Sequence, residues 1–362
     1  MRNRIDLIDV AKGMSILLVA FHHSQLASQY SGLSSAMGLF RMPLFFFLSG
    51  VFFKALAPPG EFIAHKTQAL IKPYFATLGL LLLTTILLGR DGVLGEAFGI
   101  LYGTGDTIRW TPMWFLTMLW VLFMGSYLLV RWLRLDARSA MLQSLVLIVM
   151  LLVGVVWMDL FRGAEVRVFN QTYILPGLPF NVDLIFISMA YFMLGHFLSG
   201  RVKAFAPNPW LLTGMMVVFF SIVLFSDAAV DLNRRIYREP VQATLGALSG
   251  IYLVLTSAYL ISRVSRIKAF FKAFGSASLF ILIFHYVLMA KLQSGFDRWI
   301  SADWILLTAT ISYAFSVSFP LFIKRVIERN RFLRPLYFPV KQAQPGNAVR
   351  ADTVPADKSP SG

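Results

Sequence analysis

The chain has 362 residues, of which 57% are hydrophobic and only 14% charged, and its mean hydropathy is +0.68. Soluble domains carry roughly 25% charged residues, so this composition excludes an ordinary soluble enzyme. The net charge of +15 reads as Lys and Arg gathered beside anionic lipid, not as a nucleic-acid surface, because no basic run is interleaved with stacking aromatics. Cysteine is absent, which excludes disulfides, thiolate metal sites and a Cys nucleophile.

A helix needs about 20 apolar residues to cross the hydrocarbon core. Ten stretches qualify: 7–27, 38–57, 70–89, 112–131, 141–160, 181–200, 210–229, 243–262, 275–294 and 303–323. The predicted fold class is therefore all-α, a polytopic membrane helical bundle of about ten transmembrane helices occupying residues 1–340. Pro58-Pro59-Gly60, Gly177-Leu178-Pro179 and Pro207-Asn208-Pro209 punctuate the spans. Segment 93–102 is apolar but short, and reads as re-entrant or interfacial. Residues 341–362 are rich in Pro, Ala, Asp and Ser and read as a disordered cytoplasmic tail. The first apolar run leads into His22 and His23 and not into a small-residue cleavage site, so no cleavable signal peptide is expected.

With ten spans and a cytoplasmic N-terminus, more than twice as many of the 33 Lys and Arg residues fall inside as outside. That bias predicts both termini in the cytoplasm. No fixed-period repeat and no inverted pair of broken helices, which would mark a transporter, is visible.

Ionisable side chains are expensive in lipid, so each is a candidate for function. In the first span, Lys12 and His23 are eleven residues apart, which returns to within about 20° of the same helical face and rises about 16 Å. His22 lies roughly 80° off that line and reads as structural, whereas His23 reads as functional. Asp9 is within one turn of Lys12, and both also fit a snorkelling pair at a helix end. In the second span, Arg41 heads an aromatic run that ends at Ser49-Gly50. That small pair suits close packing as well as it suits a catalytic serine. The aromatics Phe45, Phe46 and Phe47 surround the helix and cannot all line one site. Lys66 and Lys72 sit at the cytoplasmic mouth of the third span, where they suit a phosphorylated ligand or the positive-inside bias alone. Trp114 is an interfacial tryptophan, and His285 is a second lone histidine in an apolar span. No histidine has carboxylate companions at metal-ligand spacing, so no metal is expected.

Five stretches together carry a family resemblance. They are Ile8-Asp9 through Lys12-Gly13 to His22-His23-Ser24, Phe40-Arg41 to Ser49-Gly50, Lys72-Pro73-Tyr74, Trp114-Phe115-Leu116, and Ser278-Leu279 followed by His285. In this order, over residues 6–323, the chain resembles the membrane-bound acyltransferase-3 family, in particular its fucose 4-O-acetylase-like branch. The resemblance implies an integral membrane O-acetyltransferase. Such an enzyme moves acetyl from acetyl-CoA to a hydroxyl of a cell-envelope glycan or lipid-linked sugar, a polysaccharide modification at the bacterial inner membrane. It implies His23 as the catalytic histidine and Lys12, Lys66 and Lys72 as donor contacts. Arg41 stands where the family often has histidine, and Leu119 stands where the larger branch has an acidic residue, so no carboxylate partner for His23 is apparent. Asp9 is about 20 Å away along the helix. A neutral hydroxyl is a poor nucleophile and needs a base, which His23 can supply near neutral pH. The absence of cysteine rules out an acyl-Cys intermediate, and an acyl-His step or an acyl-Ser step at Ser24 or Ser49 stays open. Loops 161–181 and 227–241, with Arg234 and Arg235, are candidate acceptor contacts, with Arg41, Ser49, Trp114 and His285 as further candidate substrate contacts. The alternative is a transporter or exporter in which Lys12, His23 and His285 bind substrate or relay protons; a structural membrane subunit is a third reading.

Overall fold

The computed structural model describes residues 6–168 and 171–340; the expected tail, 341–362, lies outside the described residues. Among the described residues ten principal helices run in order: α1 Asp6–His22, α2 Ser31–Val51, α3 Lys72–Leu87, α4 Trp114–Leu133, α5 Ala140–Phe161, α6 Ile185–Phe197, α7 Pro209–Phe225, α8 Pro240–Ser262, α9 Ser278–Trp299 and α10 Ile305–Arg329. Eight of them, counted with the helical turns that precede some of them, are long and apolar enough to cross a membrane. The other two, α1 and α7, have 17 residues each, about 25 Å at 1.5 Å per residue. The protein is thus an all-α polytopic membrane bundle. Its outer surface agrees: Leu152, Val156, Phe220, Leu224 and Phe225 are all exposed, as lipid-facing side chains should be. Segment 93–102 forms one short helix, Val93–Tyr102, between Gly92 and Gly103, both at positive φ. At 10 residues it is far too short to cross.

Several boundaries differ from the hydropathy reading, among them three in the helices nearest the histidines. The first helix stops at His22, not residue 27, because Ser24 takes an extended backbone and caps a separate turn, Gln25–Gln29. The Ser24 hydroxyl donates to the Phe21 carbonyl at 2.6 Å and secures the break. The second helix begins at Ser31 instead of 38, since Ser31–Ala36 is helical though only weakly apolar. The ninth span is divided at Ala277: a helix over Ser265–Ser276 precedes α9.

Glycines set how closely the helices approach. A Cβ on Gly50 would run into the Phe192 carbonyl, and one on Gly195 into the Phe47 carbonyl. This reciprocal pair locks α2 against α6, the close backbone approach that small residues permit between membrane helices. Gly13 and Gly275 do the same between α1 and the Ser265–Ser276 helix, through the Phe271 and Asp9 carbonyls. Asp6 closes that contact with Lys268 at 2.9 Å and with Lys272.

At the opposite end of α1 two antiparallel hairpins cap the bundle. They are β1 Arg162–Val168 with β2 Gln171–Pro176, and β3 Ala229–Asp231 with β4 Ile236–Arg238. The turn of the second contains Arg235 at φ 53°. Its buried guanidinium donates to Asp183 Oδ2 at 2.9 Å and to Asn181 Oδ1 at 3.1 Å. Asn181 in turn donates to the Gly103 carbonyl at 3.1 Å, and Asp183 accepts from the Leu178 N–H at 2.9 Å. Three loops are thereby tied to one buried ion pair. Arg235→Ala leaves Asp183 buried without its cation, a loss of about 3–5 kcal/mol. Gly50→Val forces α2 from α6 at a cost of about 1–3 kcal/mol or more. Both variants should lower the thermal unfolding midpoint of purified protein in detergent, Arg235→Ala the further.

Candidate functional site

His23 lies one residue beyond α1, in the turn created by Ser24. Its ring is 5.2 Å from that of His22, 5.3 Å from that of His285 and 5.5 Å from that of Tyr286, centroid to centroid. His23 lines a cavity of about 410 Å³ at the hairpin end of the bundle. Five parts of the chain supply its walls. The α1 end gives Val19 and His22, and α2 gives Arg41, Met42 and Phe45. The stretch from Gly105 to Phe115 adds Asp106, Thr111, Pro112 and Trp114. The second hairpin adds Asp231, Asn233 and Arg234, and α9 closes the cavity with Leu282 and Tyr286. Polar groups of both signs therefore converge on one histidine.

Some of these polar atoms are left over. His22 Nδ1 and Asn233 Oδ1 are buried and have no hydrogen-bond partner among the described residues. Buried polar groups are nearly always paired, and exceptions mark places where a ligand or water completes the set. His285, wholly buried, is more informative still. Its Nδ1 lies 2.6 Å from the Ile281 carbonyl and 3.1 Å from that of Leu282. Carbonyls only accept, so Nδ1 carries the hydrogen and Nε2 presents a lone pair. That Nε2 is also without a partner among the described residues, and its ring neighbours His23.

A second cavity, of about 300 Å³, lies toward the end of the bundle that holds Asp6. Lys12, Ser15, Ser49, Lys66 and Ser278 line it, with an apolar wall of Phe45, Leu48, Phe52, Leu119 and Phe123. The Lys12 ammonium sits 4.0 Å from the Phe52 ring centroid, and that of Lys66 sits 3.6 Å from Phe123. Local geometry delivers Lys66 to this place. The helix Pro59–Lys66 continues as a π-helical stretch, Thr67–Ile71, before α3 begins at Lys72. Pro73 has no N–H to give Ala69, so the i→i−4 ladder slips to a wider turn. Trp120 Nε1 donates to Thr67 Oγ1 at 3.0 Å and pins that stretch to α4. Phe45 lines both cavities, and its ring packs 4.7 Å from that of Phe115.

The residues singled out in the sequence fall into three groups. His23, Arg41, Trp114 and Arg234 line the histidine cavity, with His285 behind it. Lys12, Ser49 and Lys66 line the lysine cavity, where the Ser49 hydroxyl donates to the Phe45 carbonyl at 2.8 Å. Lys72 and Arg235 line neither cavity: Lys72 donates to the Phe338 carbonyl at 2.7 Å, and Arg235 belongs to the hairpin clamp. Phe46 and Phe47 enter the core, leaving Phe45 to the cavities. Asp106, Asp231, Asn233 and Tyr286 join the site without having been singled out. Tyr286 follows His285, and Asp231 and Asn233 lie in a loop already flagged, whereas only a glycine-rich loop, Gly103-Thr-Gly-Asp106, hinted at Asp106.

No curated protein and no solved structure matches the chain. One family model, described as an acyltransferase domain, matches residues 5–323. With that match over nearly the whole bundle, the chain belongs to the membrane acyltransferase-3 family.

Proposed function

We propose that this acyltransferase moves acetyl from acetyl-CoA to a hydroxyl of a cell-envelope glycan or lipid-linked sugar, from a bacterial inner membrane with both termini cytoplasmic. One observation carries the reading: a lysine-lined cavity and a histidine-lined cavity approach the same ring, Phe45, from opposite ends of the bundle. The polyanionic donor is made in the cytoplasm, and Lys12 and Lys66 are the cations it meets there. The apolar rings beside them suit the uncharged arm that carries the acyl group. Past Phe45 the thioester reaches His23 and an acceptor hydroxyl among Asp231, Asn233 and Arg234.

The chemistry then follows from the groups present. A nitrogen of His23 takes the hydroxyl proton as the oxygen attacks the thioester carbon. The Arg41 guanidinium, on the same cavity, offers N–H donors to the oxyanion that forms. The carbon–sulfur bond breaks, the acyl group stays on the acceptor oxygen as an ester, and the hydroxyl proton held by His23 passes to the departing thiolate. The lone pair of His285 Nε2 suits it to accept from the other His23 nitrogen, which would fix the tautomer in the place of the missing carboxylate. Lys72 keeps a structural role in this account, since it holds the C-terminal segment near the base of α3.

Two cavities that meet end to end also suit a transporter. Three measurements on purified protein and matched membranes separate the readings. Wild type should consume acetyl-CoA and label envelope glycans, whereas a transporter need not consume it. His23→Ala, at equal expression and unchanged melting temperature, should lower transfer by about two to four orders of magnitude, the contribution of a general base. Equal activity in that variant would remove His23 from the mechanism. Lys66→Gln should raise KM for acetyl-CoA about ten- to a hundredfold, with kcat largely kept, because a charged contact to the donor is worth about 1.5–3 kcal/mol.

A further inference from the structure

A third polar cavity, of about 550 Å³, lies on the other side of the histidines. It shares His22, His23 and Tyr286 with the histidine cavity. Its floor is one face of α9: Tyr286, Met289, Ala290, Gln293, Ser294 and Asp297. These positions fall at i, i+3, i+4, i+7, i+8 and i+11, so they form a single stripe. Four of the six carry polar groups, one of them a carboxylate, on a helix long and apolar enough to cross the membrane. Such a stripe is costly against lipid and belongs beside water or a polar ligand.

The stripe is ordered before any ligand arrives. Gln293 Nε2 donates to Asp297 Oδ1 at 2.8 Å, and Ser312 of α10 donates to Gln293 Oε1 at 3.2 Å. Gln25 and Ser28 face it from the turn after α1, and Arg298 stands at its outer end. The charges here, one carboxylate and one guanidinium, cancel. That balance disfavours a polyanion such as the donor, which meets two lysines in its own cavity. The groove has amide, hydroxyl, carboxylate and guanidinium groups and a tyrosine ring at its inner end, and only Met289 and Ala290 are apolar. Such a lining suits a neutral polyhydroxyl chain and not an acyl tail. At its inner end stands His22, whose Nδ1 is one of the unpaired buried atoms.

We propose that this groove holds the sugars that extend beyond the reacting residue, so that the acceptor is an oligosaccharide or longer glycan threaded past His23 and not a free monosaccharide. The inference rests on the acyltransferase reading and adds the acceptor's length to it. The reacting hydroxyl occupies the histidine cavity, and the chain continues over Tyr286 toward Gln293 and Asp297.

The test uses the full chain in lipid nanodiscs with radiolabelled acetyl-CoA. Two acceptor preparations from one source are compared: intact envelope and lipid-linked glycans, and the same glycans hydrolysed to monosaccharides. Wild type should acetylate the intact glycan at least about tenfold more efficiently, the effect of about 1.4 kcal/mol of added binding. Ser294→Trp fills the groove from an exposed position and should lower kcat/KM for the intact glycan about tenfold or more, with KM for acetyl-CoA at its wild-type value. Asp297→Asn keeps the shape of the groove and should cost several-fold by the same measure, which carries the test if the tryptophan variant does not fold. Equal use of monosaccharide and glycan by wild type, or wild-type glycan kinetics in either variant, would overturn the groove while leaving the acyltransferase reading standing. Acetyl-CoA turnover with no label in any sugar would overturn both the glycan acceptor and the groove.

Discussion

The cost of holding ionisable groups inside an apolar slab is the constraint on which this structure turns. Lipid supplies no hydrogen bonds, so every buried polar atom must find a partner in the protein or line a wet cavity. Arg235 and Asp183 solve the problem by pairing at 2.9 Å, and they tie three loops into a cap in doing so. His23, Arg41, Lys12 and Lys66 solve it by facing cavities. The arrangement of helices can be read as the scaffold that keeps those cavities open while the rest of the bundle closes. Reciprocal glycine contacts draw α2 onto α6 and α1 onto the Ser265–Ser276 helix. Helices held that closely leave the remaining spaces well defined.

The placement of His23 shows how local and tertiary effects combine. Ser24 ends α1, so the histidine leaves the regular helix and enters a turn where three elements meet. His285 comes to it from α9, with its hydrogen committed to the carbonyls of its own helix. A histidine fixed in one tautomer by backbone carbonyls is a firm acceptor without carrying charge, which matters where a buried carboxylate would be costly. Leu119, expected from the resemblance to stand where the larger branch has an acidic residue, lies on the wall of the lysine cavity.

Phe45 is where two sets of residues become one site. In the sequence it is one of three successive phenylalanines, and nothing distinguishes it from Phe46 or Phe47. Helical rotation directs those two into the protein core and leaves Phe45 between the cavities, against Phe115. Lys12 shows the same dependence on distant partners. Its ring partner Phe52 is the residue just past the C-terminal end of α2, a position that acquires meaning only once α1 and α2 are antiparallel.

The class of protein, an all-α membrane bundle, and the family were legible in the chain before any fold was known. Those properties depend on composition, on runs of about 20 apolar residues and on short motifs in order, all local in the chain. Several lone polar residues, Lys12, His23 and His285 among them, also stand out in the chain, because each one is conspicuous against an apolar background. Helix ends were less legible: the breaks at Ser24 and Ala277 fall inside stretches that read as single spans, 7–27 and 275–294, and Ser31–Ala36 is helical though only weakly apolar. Which candidates share a cavity emerged from helix packing alone. It separated Lys72 from Lys66 and Arg235 from Arg234, and joined His23 to His285 across more than 250 residues. The reason is physical: a side chain's cost in lipid is set by its own chemistry, but its partner is set by helix packing, and packing is written in contacts between segments far apart in the chain.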